Sequence, residues 1–215
     1  MILAAGRGAR MGPLTAVQPK PLLTIGGVAL IEHHVVRLKA CGVDEIVINL
    51  SYFGAQIRDH LGDGRRFGVA IAYSEEGEPP LESAGGIVHA LPLLSAPFLL
   101  VNSDVFTDFD YRTLAAERSP TIVLVHNPAH NPRGDFGLDA AGYVRAEPRS
   151  YTYAGIGVLD PTLFAALEPG RQPLKPVLDA AIARGELRGV HFEGVWIDVG
   201  TPERLEAARA IAPWE

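Results

Sequence analysis

Short apolar runs separated by helical stretches constrain this chain more than any other feature. Ile2-Leu3-Ala4-Ala5, Glu45 to Leu50 and Phe67 to Tyr73 have the length and content of buried strands. Between the first two, Leu30, Ile31, His34, Val35, Leu38 and Cys41 recur at helical spacing and Gly42 closes the helix. Ser51 to Leu61 reads as a second, short helix before Gly62-Asp63-Gly64. Strands that alternate with helices cross over right-handed and build a mostly parallel sheet. Ala96 to Val101 and Thr121 to His126 continue the series, and Asp160 to Leu167 and Leu174 to Arg184 read as helices. Val190 to Phe192 and Val195 to Val199 read as strands paired with each other, followed by a last helix from Glu203. The whole of 1–215 is expected to be one α/β domain, long enough to bury a sizeable core.

Composition excludes several classes. The net charge of −6 argues against broad nucleic-acid binding, which needs basic surface, but not against a nucleotide in a local basic pocket. No run approaches the roughly eighteen apolar residues of a membrane span. No signal peptide is visible, and the single cysteine, Cys41, allows no internal disulfide, so cytoplasm and a buried core thiol are expected. His33 and His34 are adjacent and face apart on a helix, which favours packing over metal binding.

Chemistry concentrates in three places. After the first apolar run come Gly6, Gly8, Arg10 and, further on, Lys20 between two prolines. A strand opening into a Gly-rich loop can aim backbone N–H groups at phosphate oxygens, and two cations beyond it can neutralise a triphosphate. Met11 breaks the dinucleotide and kinase glycine spacings, and Pro21 after Lys20 breaks the P-loop. The second place is Asp104, a carboxylate just past an apolar strand, where open α/β sheets bind ligands and where Mg²⁺ takes carboxylate plus phosphate oxygens; a turn-capping Asp is the alternative. The third is Asp108-Phe109-Asp110, a D-x-D found in metal-dependent glycosyltransferases, which reads here as a cap on a helix from Tyr111 to Glu117.

Ala4-Ala5-Gly6-x-Gly8-x-Arg10-Met11-x-Pro13-Leu14-Thr15, continued by Pro19-Lys20-Pro21-Leu22-Leu23, resembles the signature of the sugar-1-phosphate nucleotidyltransferases. Trp196-x-Asp198-Val199-Gly200-Thr201-Pro202-Glu203-Arg204-Leu205 resembles that family's closing motif. The resemblance implies a three-layer, doubly wound, mostly parallel sheet of Rossmann-like type, with a small antiparallel hairpin (Asp135 to Val144) over the sugar site. It implies a nucleotide site at Ala5, Gly6, Gly8, Ala9, Arg10 and Lys20, with the base near Glu76, Glu82 and Gly85 of the Ser74 to Ile87 loop. It implies a sugar site at Gly137, Glu147, Tyr153, Gly155 and Trp196, and a Mg²⁺ held by Asp104 and Asp198. Many relatives carry Glu-Lys-Pro where this chain has Glu147-Pro148; Arg145 or Arg149 is the candidate replacement for the lysine.

The reaction implied is attack of a sugar 1-phosphate on the α-phosphorus of a nucleoside triphosphate, with pyrophosphate leaving and Arg10 and Lys20 as catalytic cations. Across its length the chain is most similar to the small single-domain branch that joins UTP to N-acetylmuramic acid α-1-phosphate in cell-wall recycling. The guanylyltransferase branch acting on mannose 1-phosphate shares nearly every motif. A glycosyltransferase using the D-x-D and a non-catalytic nucleotide sensor are readings from other classes. Neither nucleic acid nor membrane is an expected partner, and the sequence is silent on oligomeric state.

Overall fold

The computed structural model describes residues 1–117 and 120–211. The chain enters on β1 (Ile2–Leu3), winds through two short 3-10 segments, and forms a small hairpin of β2 (Thr24–Ile25) and β3 (Val28–Ala29) before α1 (Leu30–Ala40). Then follow β4 (Glu45–Leu50), α2 (Gly54–Leu61), β5 (Ala70–Glu75), α3 (Glu82–Ala90), β6 (Phe98–Asn102), β7 (Val105–Thr107) and β8 (Thr121–His126). The second half adds β9 (Gly137–Leu138), β10 (Val144–Arg145), β11 (Tyr151–Leu159), α4 (Lys175–Ala183), β12 (Arg188–His191), β13 (Trp196–Asp198) and α5 (Pro202–Ile211).

Seven strands form the main sheet in the order β12-β8-β11-β6-β1-β4-β5. β11 pairs antiparallel with both its neighbours, and every other pairing in that sheet is parallel. The strand sequences explain why both faces are covered. In β4, Ile46, Ile48 and Leu50 pack with α1 and α2 through Ile31, Val35, Leu38 and Ile57. Val47 points the other way, into a cluster with Ile87 of α3 and Val177, Leu178, Ala181 and Ile182 of α4. Ile122 and Leu124 alternate with Val123 and Val125 between the same two clusters, as the two-residue period of a strand requires. Burying each such side chain contributes about 1.5–3 kcal/mol. A third cluster (Met11, Leu23, Ile25, Leu30, Phe106, Val199, Leu205 and Ala208) packs α5 and the β2–β3 hairpin under the first loop.

The chain runs from β1 outward to β4 and β5 on one side, then returns to β6 on the other. The carboxyl ends of β1 and β6 therefore flank a topological switch point, where open α/β sheets form their ligand crevice.

Several boundaries differ from the sequence expectation. Val190–Phe192 and Val195–Val199 do not pair with each other. β12 joins the main sheet beside β8, with His191 opposite Leu124, whereas β13 pairs antiparallel with β7. Glu193 and Gly194 between them lead from one sheet to the other instead of forming a hairpin turn. The expected helices at Tyr111 to Glu117 and Pro161 to Leu167 are single 3-10 turns, Tyr111–Leu114 and Pro161–Phe164, each capped by the preceding Asp. Cys41 is half-buried at the end of α1, its thiol 3.8 Å from Asp110 Oδ1, not a core thiol. His33 and His34 pack as expected, on the Ile25 carbonyl and on the Tyr111 hydroxyl. No helix among the described residues is long and apolar enough to cross a membrane.

Candidate active site

Two clefts open at the switch point and share a wall made by Asn102 and Asp104. The first, about 260 Å³, is lined by Leu3 to Gly6 after β1, Lys20 and Pro21, Asn49 and Glu76, Pro80, Glu82 and Ser83, and Asn102 to Asp104 after β6. Gly6 faces open space, so nothing of the protein itself requires glycine there. Gly8 has a different job. Its φ of +63° suits glycine, and an added Cβ would sit 3.1 Å from Lys20 Cβ. Its carbonyl accepts from Met11 N (2.9 Å) and from the Thr15 hydroxyl (2.9 Å). Gly8 and Ala9 thus shape the loop without lining either cleft, and Lys20 is delivered from the loop's far end to an ion pair with Asp104.

Glu76 is the keystone of the first cleft's far side. Ala4 N donates to Asn49 Oδ1 (2.8 Å), Asn49 Nδ2 donates to Glu76 Oε1 (2.6 Å), and Leu81 N donates to Glu76 Oε2 (2.8 Å). One chain of hydrogen bonds ties β1, β4, β5 and the start of α3. Glu82, at a φ of +62°, lines the cleft and pairs with Arg171 (2.8 Å). Gly85 N and Ala84 N both donate to the Gln172 carbonyl (3.1 and 2.9 Å). A side chain at 85 would collide with the Gly170 carbonyl, so this glycine lets α3 dock on 170–172 and does not itself line the cleft.

The second cleft, about 300 Å³, is lined by Arg10, Asn102, Asp104, Val105, His130 and Asn131, by Thr152 to Gly155 of β11, and by Trp196 and Asp198 of β13. It joins the two aspartates that the sequence keeps 94 residues apart. In the β7–β13 ladder Asp198 stands opposite Val105, and Val199 N donates to the Asp104 carbonyl (2.8 Å). The two carboxylates are partly exposed and line the same cleft, whose described lining includes no sulfur donor. Oxygen donors of this kind, with room for phosphate and water, suit a hard divalent cation. Asp198 Oδ2 lies 3.3 Å from Arg204 NH1 and 3.4 Å from His130 Nε2. Burial and the Arg204 charge lower the His130 pKa, against the opposing pull of Asp198, which favours the neutral imidazole.

Trp196 Nε1 donates to the Ala154 carbonyl (2.9 Å) and fixes β13 against β11. Gly155 sits at a bulge with φ +74°, and a Cβ there would lie 2.6 Å from the Asn102 amide. Tyr153 lines the cleft, and burial pushes its hydroxyl pKa up. Arg10 stands in this second cleft, apart from Lys20 in the first, although the sequence groups the two cations. Gly137 and Glu147 line neither cleft. Gly137 packs on the Pro148 carbonyl (2.5 Å from an added Cβ), and Glu147 forms an exposed pair with Arg149 (2.9 Å). Arg145 is likewise bound to Asp139, so neither candidate for the family lysine faces the clefts. Asp108 accepts from Val195 N (2.8 Å) and Asp110 from Arg112 N (3.0 Å), so both D-x-D carboxylates hold backbone in place.

Residues 1–212 match the family model described as nucleotidyl transferase, and the chain belongs to that family. It is 47% identical to the N-acetylmuramate alpha-1-phosphate uridylyltransferase of Neisseria meningitidis, over 99% of this chain and 97% of that one. It is 34% identical to the enzyme of the same name from Caulobacter vibrioides, over 98% and 95%. The mannose-1-phosphate guanyltransferase of Neurospora crassa is 30% identical, and the match spans 61% of its length. A putative glucose-1-phosphate thymidylyltransferase from Bacillus anthracis shares the fold, with a TM-score of 0.89 at 24% identity over 100% of this chain and 96% of that one.

Proposed function

We propose that this chain, as one domain, transfers the uridylyl group of UTP to N-acetylmuramic acid α-1-phosphate in the cytoplasm. The products are the UDP-sugar and pyrophosphate, and the step belongs to cell-wall recycling. The observation that carries the reaction class is the ladder setting Asp104 and Asp198 on one cleft wall, with Lys20 against the first of them. The end-to-end match to two relatives bearing that activity's name supports the choice of base and sugar.

The first cleft takes the nucleotide and the second the sugar phosphate, so the α-phosphate lies at the shared wall. A phosphate oxygen of the sugar attacks the α-phosphorus, and the bond to the β-phosphate oxygen breaks. That oxygen is already ionised at neutral pH, so no general base is required. Catalysis is then position and charge neutralisation. Lys20 neutralises the triphosphate and the leaving pyrophosphate, and Arg10 the incoming sugar phosphate. Backbone N–H groups of Ala5 and Gly6 reach the phosphates, and Gly8 and Ala9 hold the loop that carries Lys20 and Arg10. The Glu76–Asn49 chain, with Glu82 and Gly85, shapes the loop against the base. Tyr153, Gly155 and Trp196 line the sugar pocket, and neutral His130 offers a hydrogen bond there without adding charge. Asp104 and Asp198 would hold Mg²⁺, which neutralises the phosphates and aligns the two reactants.

Product analysis tests the reaction class. With UTP, Mg²⁺ and the sugar phosphate, pyrophosphate and UDP-sugar are expected in equal amounts. Release of UDP in place of pyrophosphate would overturn nucleotidyl transfer in favour of glycosyl transfer.

A further inference from the structure

We propose a second metal site, distinct from the two aspartates, at the carboxyl ends of β8 and β12. There His126, His191 and Glu193 present one ligand atom each, all within 4.8 Å of one another. The position follows from register. His191 pairs with Leu124 in the parallel ladder, so His126 and Glu193 each lie two residues beyond that rung. The side chains then converge at the sheet end, with His126 Nε2 3.6 Å from Glu193 Oε1. The two imidazoles meet edge to face, ring centroids 4.6 Å apart, and Tyr151 packs against both (5.9 and 4.7 Å).

A second observation points to a ligand. His191 Nε2 is shut off from water and has no hydrogen-bond partner among the described residues. A buried imidazole nitrogen left unpaired costs about 1–3 kcal/mol, a cost that a ligand on the His191 ring would relieve. Two imidazoles and one carboxylate with a fourth position open to water form a donor set suited to Zn²⁺. They do not suit Mg²⁺, which takes oxygen ligands. His126 and Glu193 are mostly exposed, so both can close the remaining gap to bonding distance without disturbing the core. None of the three lines either cleft of the candidate active site, so this site stands whatever the reaction proves to be.

The test is a Zn²⁺ titration by calorimetry on tag-free protein in saturating Mg²⁺, which occupies the aspartates. One Zn²⁺ per chain is expected. His126→Ala and Glu193→Gln, both at exposed positions, are expected to weaken binding at least about tenfold, whereas Asp198→Asn leaves it unchanged. The proposal is overturned if the parent takes up no Zn²⁺, if the isotherms of His126→Ala and Glu193→Gln superimpose on the parent's, or if Asp198→Asn abolishes binding.

Discussion

Lys20 and Asp104 meet in an ion pair at the wall between the two clefts, so removing either unpairs the other, and the two variants are told apart by what each measurement reads. Lys20→Ala is expected to lower turnover by about a hundredfold or more, with thermal stability close to the parent's; unchanged turnover would remove Lys20 from catalysis. Asp104→Asn and Asp198→Asn are each expected to shift the Mg²⁺ activation curve to higher concentration, and a curve matching the parent's would count against that ligand. Gly155→Ala places a Cβ at φ +74° and 2.6 Å from the Asn102 amide. It should cost about 1–2 kcal/mol, read as a lower urea midpoint. These positions are legible in the sequence because glycine, lysine and aspartate stand out beside apolar strands. Asn49, Asn102 and His130 are not. They are single polar residues in strands and a turn, with no spacing to mark them, and only neighbours distant in sequence bring them to the clefts. Glu76 is legible as a base-loop residue, but its hydrogen bonds to Asn49 and Leu81 show a scaffolding part that the sequence does not disclose.

At the scale of elements, the short β7–β13 ladder matters more to the site than any strand of the main sheet. It joins segments some 90 residues apart, and three residues of β13 carry no information about which strand they will meet. The sequence therefore assigns 195–199 the nearest apolar partner and misses the pairing that assembles the two aspartates. By contrast β4, β8 and α1 are legible almost to the residue, because their apolar period is long and their ends carry turn residues. Trp196 ties this ladder to β11 through the Ala154 carbonyl. Trp196→Phe keeps the ring and loses the bond, so it is expected to raise the KM for the sugar phosphate more than that for the nucleotide. Equal effects on both would detach Trp196 from the sugar pocket. Asp110→Ala removes a cap on a 3-10 turn and should leave turnover unchanged, whereas a glycosyltransferase reading requires it to abolish activity.

Across the whole molecule, the strand alternation makes an α/β sheet with two covered faces legible, but not the insertion of antiparallel β11 between β6 and β8. That order depends on which crossovers close, not on any local signal. Global stability depends on pH through buried groups, among them the Met1 α-amino group, which burial lowers from 8.0 to about 5, and His34. Burial, reinforced by His33, drives the His34 pKa from 6.5 to about 4, with Nδ1 held 2.8 Å from the Tyr111 hydroxyl. Between these values the unfolded chain binds the proton that the folded chain refuses. The contribution of His34 is therefore fully present above about pH 6.5 and is lost toward pH 4, with a slope of up to about 1.4 kcal/mol per pH unit from this group. Urea midpoints at pH 7.5 and pH 5 should differ in the parent and differ less in His34→Gln; equal pH dependence in the two would contradict the assignment.

The proposed joining of UTP to a muramic-type sugar phosphate across the two clefts is a statement about substrate choice. It is tested by kcat/KM for pyrophosphate release with UTP or GTP, each against N-acetylmuramic acid α-1-phosphate and mannose 1-phosphate, in Mg²⁺. UTP with N-acetylmuramic acid α-1-phosphate is expected to be the preferred pair by at least about a hundredfold, the scale of discrimination that pocket contacts supply. Preference for GTP with mannose 1-phosphate would contradict it.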